Sequence, residues 1–317
     1  MLVDNALVQR RGELRVEAVG HVGNQCEGLT PKNCLFAEAE RIAATIEGDL
    51  PMAQTLNSIA YHMALAGQEA DALRIWAEAE RIAAAFDWLD ARDTATVLYD
   101  ISADMAQAGQ FAEAERVAAM IEDETQRTWA LQAIVLHMAE AGQFAEAERI
   151  AATIENTGRR ASALTHVVRG LAQAGQFAEA ERVVPKIEVA SSRASVLSTI
   201  AVEMAQAGQL AEAERIAATV EVAASRASAL SSIVSQWAEA GEEADAARNW
   251  AEAERIAATI EDASRRASAL SSIASRQAEA GQEADAARNW AEAQRIAGTI
   301  EDASHRAVAL SAIALHL

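Results

Sequence analysis

Residues 193–221 read RASVLSTIAVEMAQAGQLAEAERIAATVE, and this stretch decides the fold. Leu197, Ile200, Ala201 and Met204 fall at i, i+3, i+4 and i+7, the spacing of one buried helix stripe. Gly208 breaks the pattern where a helix C-cap belongs. Leu210, Ala213, Ile216, Ala217 and Val220 then form a second stripe. One unit is therefore a front helix (R-A-x-x-L) and a back helix (AEAERIA) joined by a tight turn. Neither helix can bury its stripe alone, so units must stack.

The unit recurs along the chain. The A-G-Q/E turn places glycines at 67, 109, 142, 175, 208, 241 and 281, with a period of 33 residues in the central copies. The front-helix leucine recurs at 131, 164, 197, 230, 270 and 310, with divergent copies at Leu56 and Leu98. Three units carry seven extra residues before AEAER, written EADALRI at 69–75 and EADAARN at 243–249 and 283–289. Seven residues is close to two helical turns. The pattern reads as a helical excursion, with Asn249 and Asn289 capping a back helix that starts at Trp250 or Trp290. One longer helix is the alternative. As an excursion, the inserts are expected to form an acidic flange that can be deleted without loss of folding.

Composition agrees with an all-α fold. Alanine accounts for 79 of 317 residues, Pro occurs three times, and aromatics make up only 4%. Ala has the highest helix propensity and little preference for strands. The formal charge of −20 argues against nucleic acid or an anionic membrane surface as a partner. No run of apolar residues approaches the roughly 20 of a membrane span, and the N-terminus lacks the apolar core of a secretory signal. The expected location is cytoplasmic.

In 193–221, Leu197, Ile200, Ala201, Met204, Gly208, Leu210, Ala213 and Ala217 fall at the spacings of tetratricopeptide repeats, and the chain resembles that superfamily over residues 50–317. It departs in having a 33-residue unit, Ala in place of an aromatic in the back helix, and no closing Pro. The resemblance implies a right-handed α-solenoid of about eight helix-turn-helix repeats, with a concave groove that docks a protein or peptide segment. Residues 1–30 then read as a degenerate N-terminal cap. Residues 31–317 read as the array, with Thr30-Pro31 as the N-cap and first position of its first helix.

No nucleophile–base set, phosphate loop or metal-binding spacing is recognisable, so no enzyme activity, cofactor or metal is expected. His21, Cys26 and Cys34 match no common zinc pattern, and the cysteines are expected to be packed or free thiols. Glu residues five before each front-helix Arg, such as Glu122/Arg127 and Glu155/Arg160, are expected to brace consecutive helices. Trp76, Trp250 and Trp290 share a repeat position with Phe111, Phe144 and Phe177 and are expected in the core.

Function should lie where the repeat is broken on an outward face. Positions two before, one after and five after the front-helix leucine point away from its stripe. There the chain places Asn57, Tyr61, Tyr99, Trp129, Gln132 and Arg169, the expected partner-binding residues; the C-terminal half offers mainly serines. The segment 87–104 adds five aspartates and reads as a solvated acidic loop, with a site for a cationic partner as the alternative. A binding scaffold is the preferred function. A small-molecule receptor with an aromatic cradle and a self-assembling structural repeat are its rivals. The last front helix has Val308, Leu315 and Leu317 where earlier units have polar residues, so a homodimer through the C-terminal helix is expected.

Overall fold

The computed structural model describes residues 30–84, 91–239 and 243–314. These form sixteen α-helices, with no strand among the described residues. The chain divides into two compact units, residues 1–137 and 138–317. The first holds α1 (Pro31–Ala43), α2 (Asp49–Leu65), α3 (Glu69–Ala84), α4 (Ala91–Gln107), α5 (Phe111–Ala119) and most of α6 (Glu124–Glu140). The second holds α7 (Phe144–Ala152), α8 (Thr157–Gln173), α9 (Phe177–Val183), α10 (Ala190–Gln206), α11 (Leu210–Ala218), α12 (Ala223–Glu239), α13 (Glu243–Ala258), α14 (Ala263–Glu279), α15 (Glu283–Ala297) and α16 (Ala303–Ala314). A short 3₁₀ turn, Val184–Lys186, follows α9.

Helix pairs repeat as the sequence pattern requires. The turn glycine takes a left-handed conformation, φ 78° at Gly208, which a side chain would disfavour. The Gln209 amide then donates back to Met204 O at 2.8 Å and closes the front helix. Four front helices begin at side-chain caps, where Asp123, Asn156, Asp262 and Asp302 each accept from the backbone amide three residues on, and Thr30 caps the back helix α1 in the same way. Leu56 and Leu98, the divergent front-helix leucines, are buried. The 1–30 segment, apart from Thr30, lies outside the described residues.

The extra seven residues are part of one continuous helix. α13 runs unbroken through Asn249 and α15 through Asn289, and both asparagines are buried within their helices instead of capping them. Four consecutive back helices of 7 to 9 residues, α5, α7, α9 and α11, thus lie between back helices of 15 or 16, α3 before them and α13 and α15 after them. Ala246 and Ala286 are buried too, so these segments belong to the core and do not form a flange.

A ladder of ion pairs shows where the extra length sits. Glu148–Arg182, Glu181–Arg215, Glu214–Arg248 and Glu254–Arg288 join successive back helices in the second unit, each 34 residues apart. Glu40–Arg74 and Glu80–Arg116 do so in the first. In a long helix the rung to the preceding unit comes from Arg74, Arg248 or Arg288, inside the supposed insert. EADALRI therefore takes the structural place of FAEAERV, and the second AEAER is the added length. Trp76 and Trp250 are core residues, as expected, and Trp290 is half-buried. Their structural counterparts, however, are the alanines near the ends of the short helices, not Phe111 and Phe144.

The expected Glu/Arg pairs five residues apart meet through the Glu backbone and not as ion pairs: Arg160 donates to Glu155 O at 3.3 Å and Arg306 to Glu301 O at 3.5 Å. Arg160 and Arg193 donate to the carbonyls of Ile154 and Ile187, and pair with Glu188 and Glu221, 28 residues later. A carbonyl freed at a helix end lacks an intrahelical donor, and the guanidinium supplies one. The i, i+3 pairs within back helices, such as Glu113–Arg116, do form and contribute roughly 0.2–0.5 kcal/mol each.

Candidate functional site

The front helices of the first unit carry the aromatic positions. Tyr99 on α4 meets Trp129 on α6 edge-on, with ring centroids 6.4 Å apart, and Trp129 remains 37% exposed. Tyr61 on α2 is half-buried, with the His62 ring 5.7 Å away. Gln132 is also half-buried on α6.

Asn57 is not a recognition residue. It is 6% exposed and bridges the buried Trp76 to the half-buried Asp104. Trp76 Nε1 donates to its Oδ1 at 2.8 Å, and its Nδ2 donates to Asp104 Oδ2 at 2.7 Å. The position one after the front-helix leucine faces the neighbouring helices, which is also why Ser231 and Ser271 are buried. The position two before it faces outward, as Gln54, Trp129, Ser162 and Ser195 do.

The bridge through Asn57 leads to a pair of carboxylates that the outward-face positions do not include. Asp100 and Asp104 are one turn apart on α4, both half-buried. Burial pushes the Asp100 carboxyl above its ordinary pKa, and the charge of Asp104 adds to the rise. Burial also raises Asp104, against the lowering effects of the Asn57 hydrogen bond and of His62. A carboxylate with a raised pKa favours the folded state most when protonated. Its contribution is present at low pH and is lost as pH rises through the folded pKa. Asp100→Asn is therefore expected to stabilise the protein at pH 7, by less than about 1 kcal/mol because solvent screens this half-exposed group, with the gain vanishing at acid pH. Urea midpoints at neutral and at acid pH check this, and equal gains at both would contradict it.

α4 thus carries two partly desolvated acids on the side toward α2 and Tyr99 on the side toward α6. Arg169 is exposed on α8 in the other unit, beside His166, whose pKa is lowered by burial first and by Arg169 second. Asp87 and Asp90 lie outside the described residues.

The second unit has a groove of about 530 Å³ between α10 and α12, lined by Ser195, Ser198, Thr199, Ser225, Ser228 and Ser232 among others. Ser198, Thr199 and Ser232 donate to carbonyls of their own helices at 2.9–3.1 Å. Their oxygens are left as acceptors.

Among the described residues no three His, Cys, Asp or Glu side chains converge as a metal-ligand set. Cys34, buried on α1, is disulfide-bonded and not a free thiol; His21 and Cys26 lie outside the described residues. Val308 is 68% exposed on α16, while Leu315 and Leu317 lie outside the described residues. No described helix is long and apolar enough to cross a membrane.

No protein-family model and no curated protein matches the chain. Among solved structures it aligns with Ton1535 from Thermococcus onnurineus NA1, at 16% identity and a TM-score of 0.30, covering 95% of this chain and 99% of that one. It also aligns with a circular tandem repeat protein with novel repeat topology and enhanced subunit contact surfaces. That match has 16% identity and a TM-score of 0.22, over 99% of this chain and 70% of that one. At these scores neither likeness bears on what the chain does.

Proposed function

We propose that the chain is a non-catalytic binding scaffold of the tetratricopeptide-like kind. Its helix pairs form a right-handed solenoid of about eight repeats, and its first unit docks a cationic peptide segment. One observation carries the proposal: α4 carries the half-buried carboxylates of Asp100 and Asp104 on one side and Tyr99, paired with Trp129 of the next front helix, on the other, and Asp104 is tied through Asn57 to α2, the helix of Tyr61. Two partly desolvated, mutually repelling acids are relieved by a cation between them. The aromatic rings of the same and adjacent front helices offer cation–π attraction to other cations of the same peptide, and Arg is the residue that uses it most. The net charge of −20 draws basic partners from a distance.

Calorimetric titration with an arginine-rich decapeptide and with its citrulline counterpart tests the reading. The arginine peptide is expected to bind with affinity that falls as salt rises, and the neutral isostere is expected not to bind. The Asp100→Asn/Asp104→Asn variant is expected to lose at least tenfold, or about 1.4 kcal/mol. Equal binding of the two peptides, or an unaffected variant, would exclude this site.

A further inference from the structure

We propose that the cleft between α11, α12 and α13 is a carboxylate-binding site centred on Arg226. The cleft holds about 500 Å³. It lies at a junction of unequal helices, because α11 has 9 residues and α13 has 16. The last two turns of α13 extend past the end of its short neighbour.

The repeat itself indicates what Arg226 binds. At the same position in the two preceding units, the guanidinium holds a carboxylate: Arg160 takes Glu188 at 2.8 Å and Arg193 takes Glu221 at 3.0 Å. Both also donate to a backbone carbonyl. The counterpart for Arg226 is Glu261, 35 residues away instead of 28, because the back helix between them is seven residues longer. Among the described residues Arg226 pairs with no carboxylate, and its Nε is buried without a hydrogen-bond partner.

The other charged groups lining the cleft are already engaged. Arg248 pairs with Glu214 at 2.8 Å and with Asp245 at 2.6 Å, and Arg255 pairs with Glu252 at 2.6 Å. Glu252 feels the charge of Arg226 without bonding to it. Leu230 and Ile256 supply apolar wall. A guanidinium with an open fork beside apolar wall fits a carboxylate on a short aliphatic body. A free aliphatic acid and the C-terminus of a peptide ending in an apolar residue share this chemistry.

Titration of the ¹⁵N-labelled full chain with hexanoate and with N-acetyl-leucine, following the arginine Nε–H resonances, tests the assignment; N-acetyl-leucinamide is the uncharged control. The Arg226 resonance is expected to shift saturably, with a Kd near about 1 mM for ligands of this size, and to ignore the amide. The tighter of the two acids identifies the source of the carboxylate. Arg226→Gln should abolish the response and keep its helicity, since no ion pair is lost. Arg193→Gln should leave the response intact. Lack of saturation at millimolar concentrations, an equal response to the amide, or a response that survives Arg226→Gln would overturn the proposal. The cationic-peptide titration draws on the other unit, so the two outcomes are independent.

Discussion

Replacing Trp76 by Ala is expected to cost about 3–5 kcal/mol, the range for emptying a large buried aromatic site. Trp76 has no exposed surface and its indole N–H is held by Asn57. Trp76→Phe separates the two contributions. It keeps an aromatic ring but leaves Asn57 Oδ1 without its donor in a buried setting, a penalty of about 1–3 kcal/mol. Trp250 is the internal control. It is 4% exposed and sits at the same place in its long helix, yet its Nε1 has no partner. Trp250→Phe removes an unsatisfied buried donor together with some packing, so its net cost should fall below about 1 kcal/mol. Chemical denaturation followed by circular dichroism measures all three. In a repeat array stability is a sum of local terms, so the Trp76 variants should move the transition of the first unit. Equal costs for Trp76→Phe and Trp250→Phe would mean that the Asn57 bridge contributes nothing.

That bridge also marks where the sequence stops being readable. The helix pairs were legible because their signals are specific to residue type. A glycine recurs where the backbone needs positive φ, and apolar residues recur at helical spacing. The place of the added length was not legible, because AEAER marks both the short back helix and the second half of the long one. Aligning on the repeated string puts the extra turns at the start of the helix, whereas the ion-pair ladder puts them at its end. The constant 34-residue step from Glu181 to Arg215, from Glu214 to Arg248 and from Glu254 to Arg288 is present in the sequence and would have given the correct register. Asn57 was misread for a related reason. Counting 100° steps from one leucine describes an isolated helix, and in an array the next front helix covers part of the outward face. Asp100 and Asp104 stood in an aspartate-rich segment that looked like a solvated loop. Their i, i+4 spacing on a front helix was the available clue, and only the fold shows that both are half-buried.

Tyr99→Ala combined with Trp129→Ala is expected to weaken binding of an arginine-rich peptide by at least thirtyfold, about 2 kcal/mol, the scale of an interface hot spot. The two rings touch edge to face, an arrangement that contributes about 0.5–1.5 kcal/mol beyond its burial. Part of their purpose is therefore to hold α4 against α6. If filling that gap were their whole role, the double variant would lose stability and keep its affinity. A recognition role predicts the reverse balance, because Trp129 is over a third exposed and its removal opens little core. Measuring both quantities on the same variants separates the roles. Tyr99→Phe and Trp129→Phe supply the intermediate case, in which packing is largely kept. An arginine side chain draws on the quadrupole of the ring, strongest for Trp. Trp129→Phe should therefore reduce affinity more than Tyr99→Phe, while both leave the melting transition close to that of the parent. Full affinity in the double alanine variant would place peptide recognition away from these two rings.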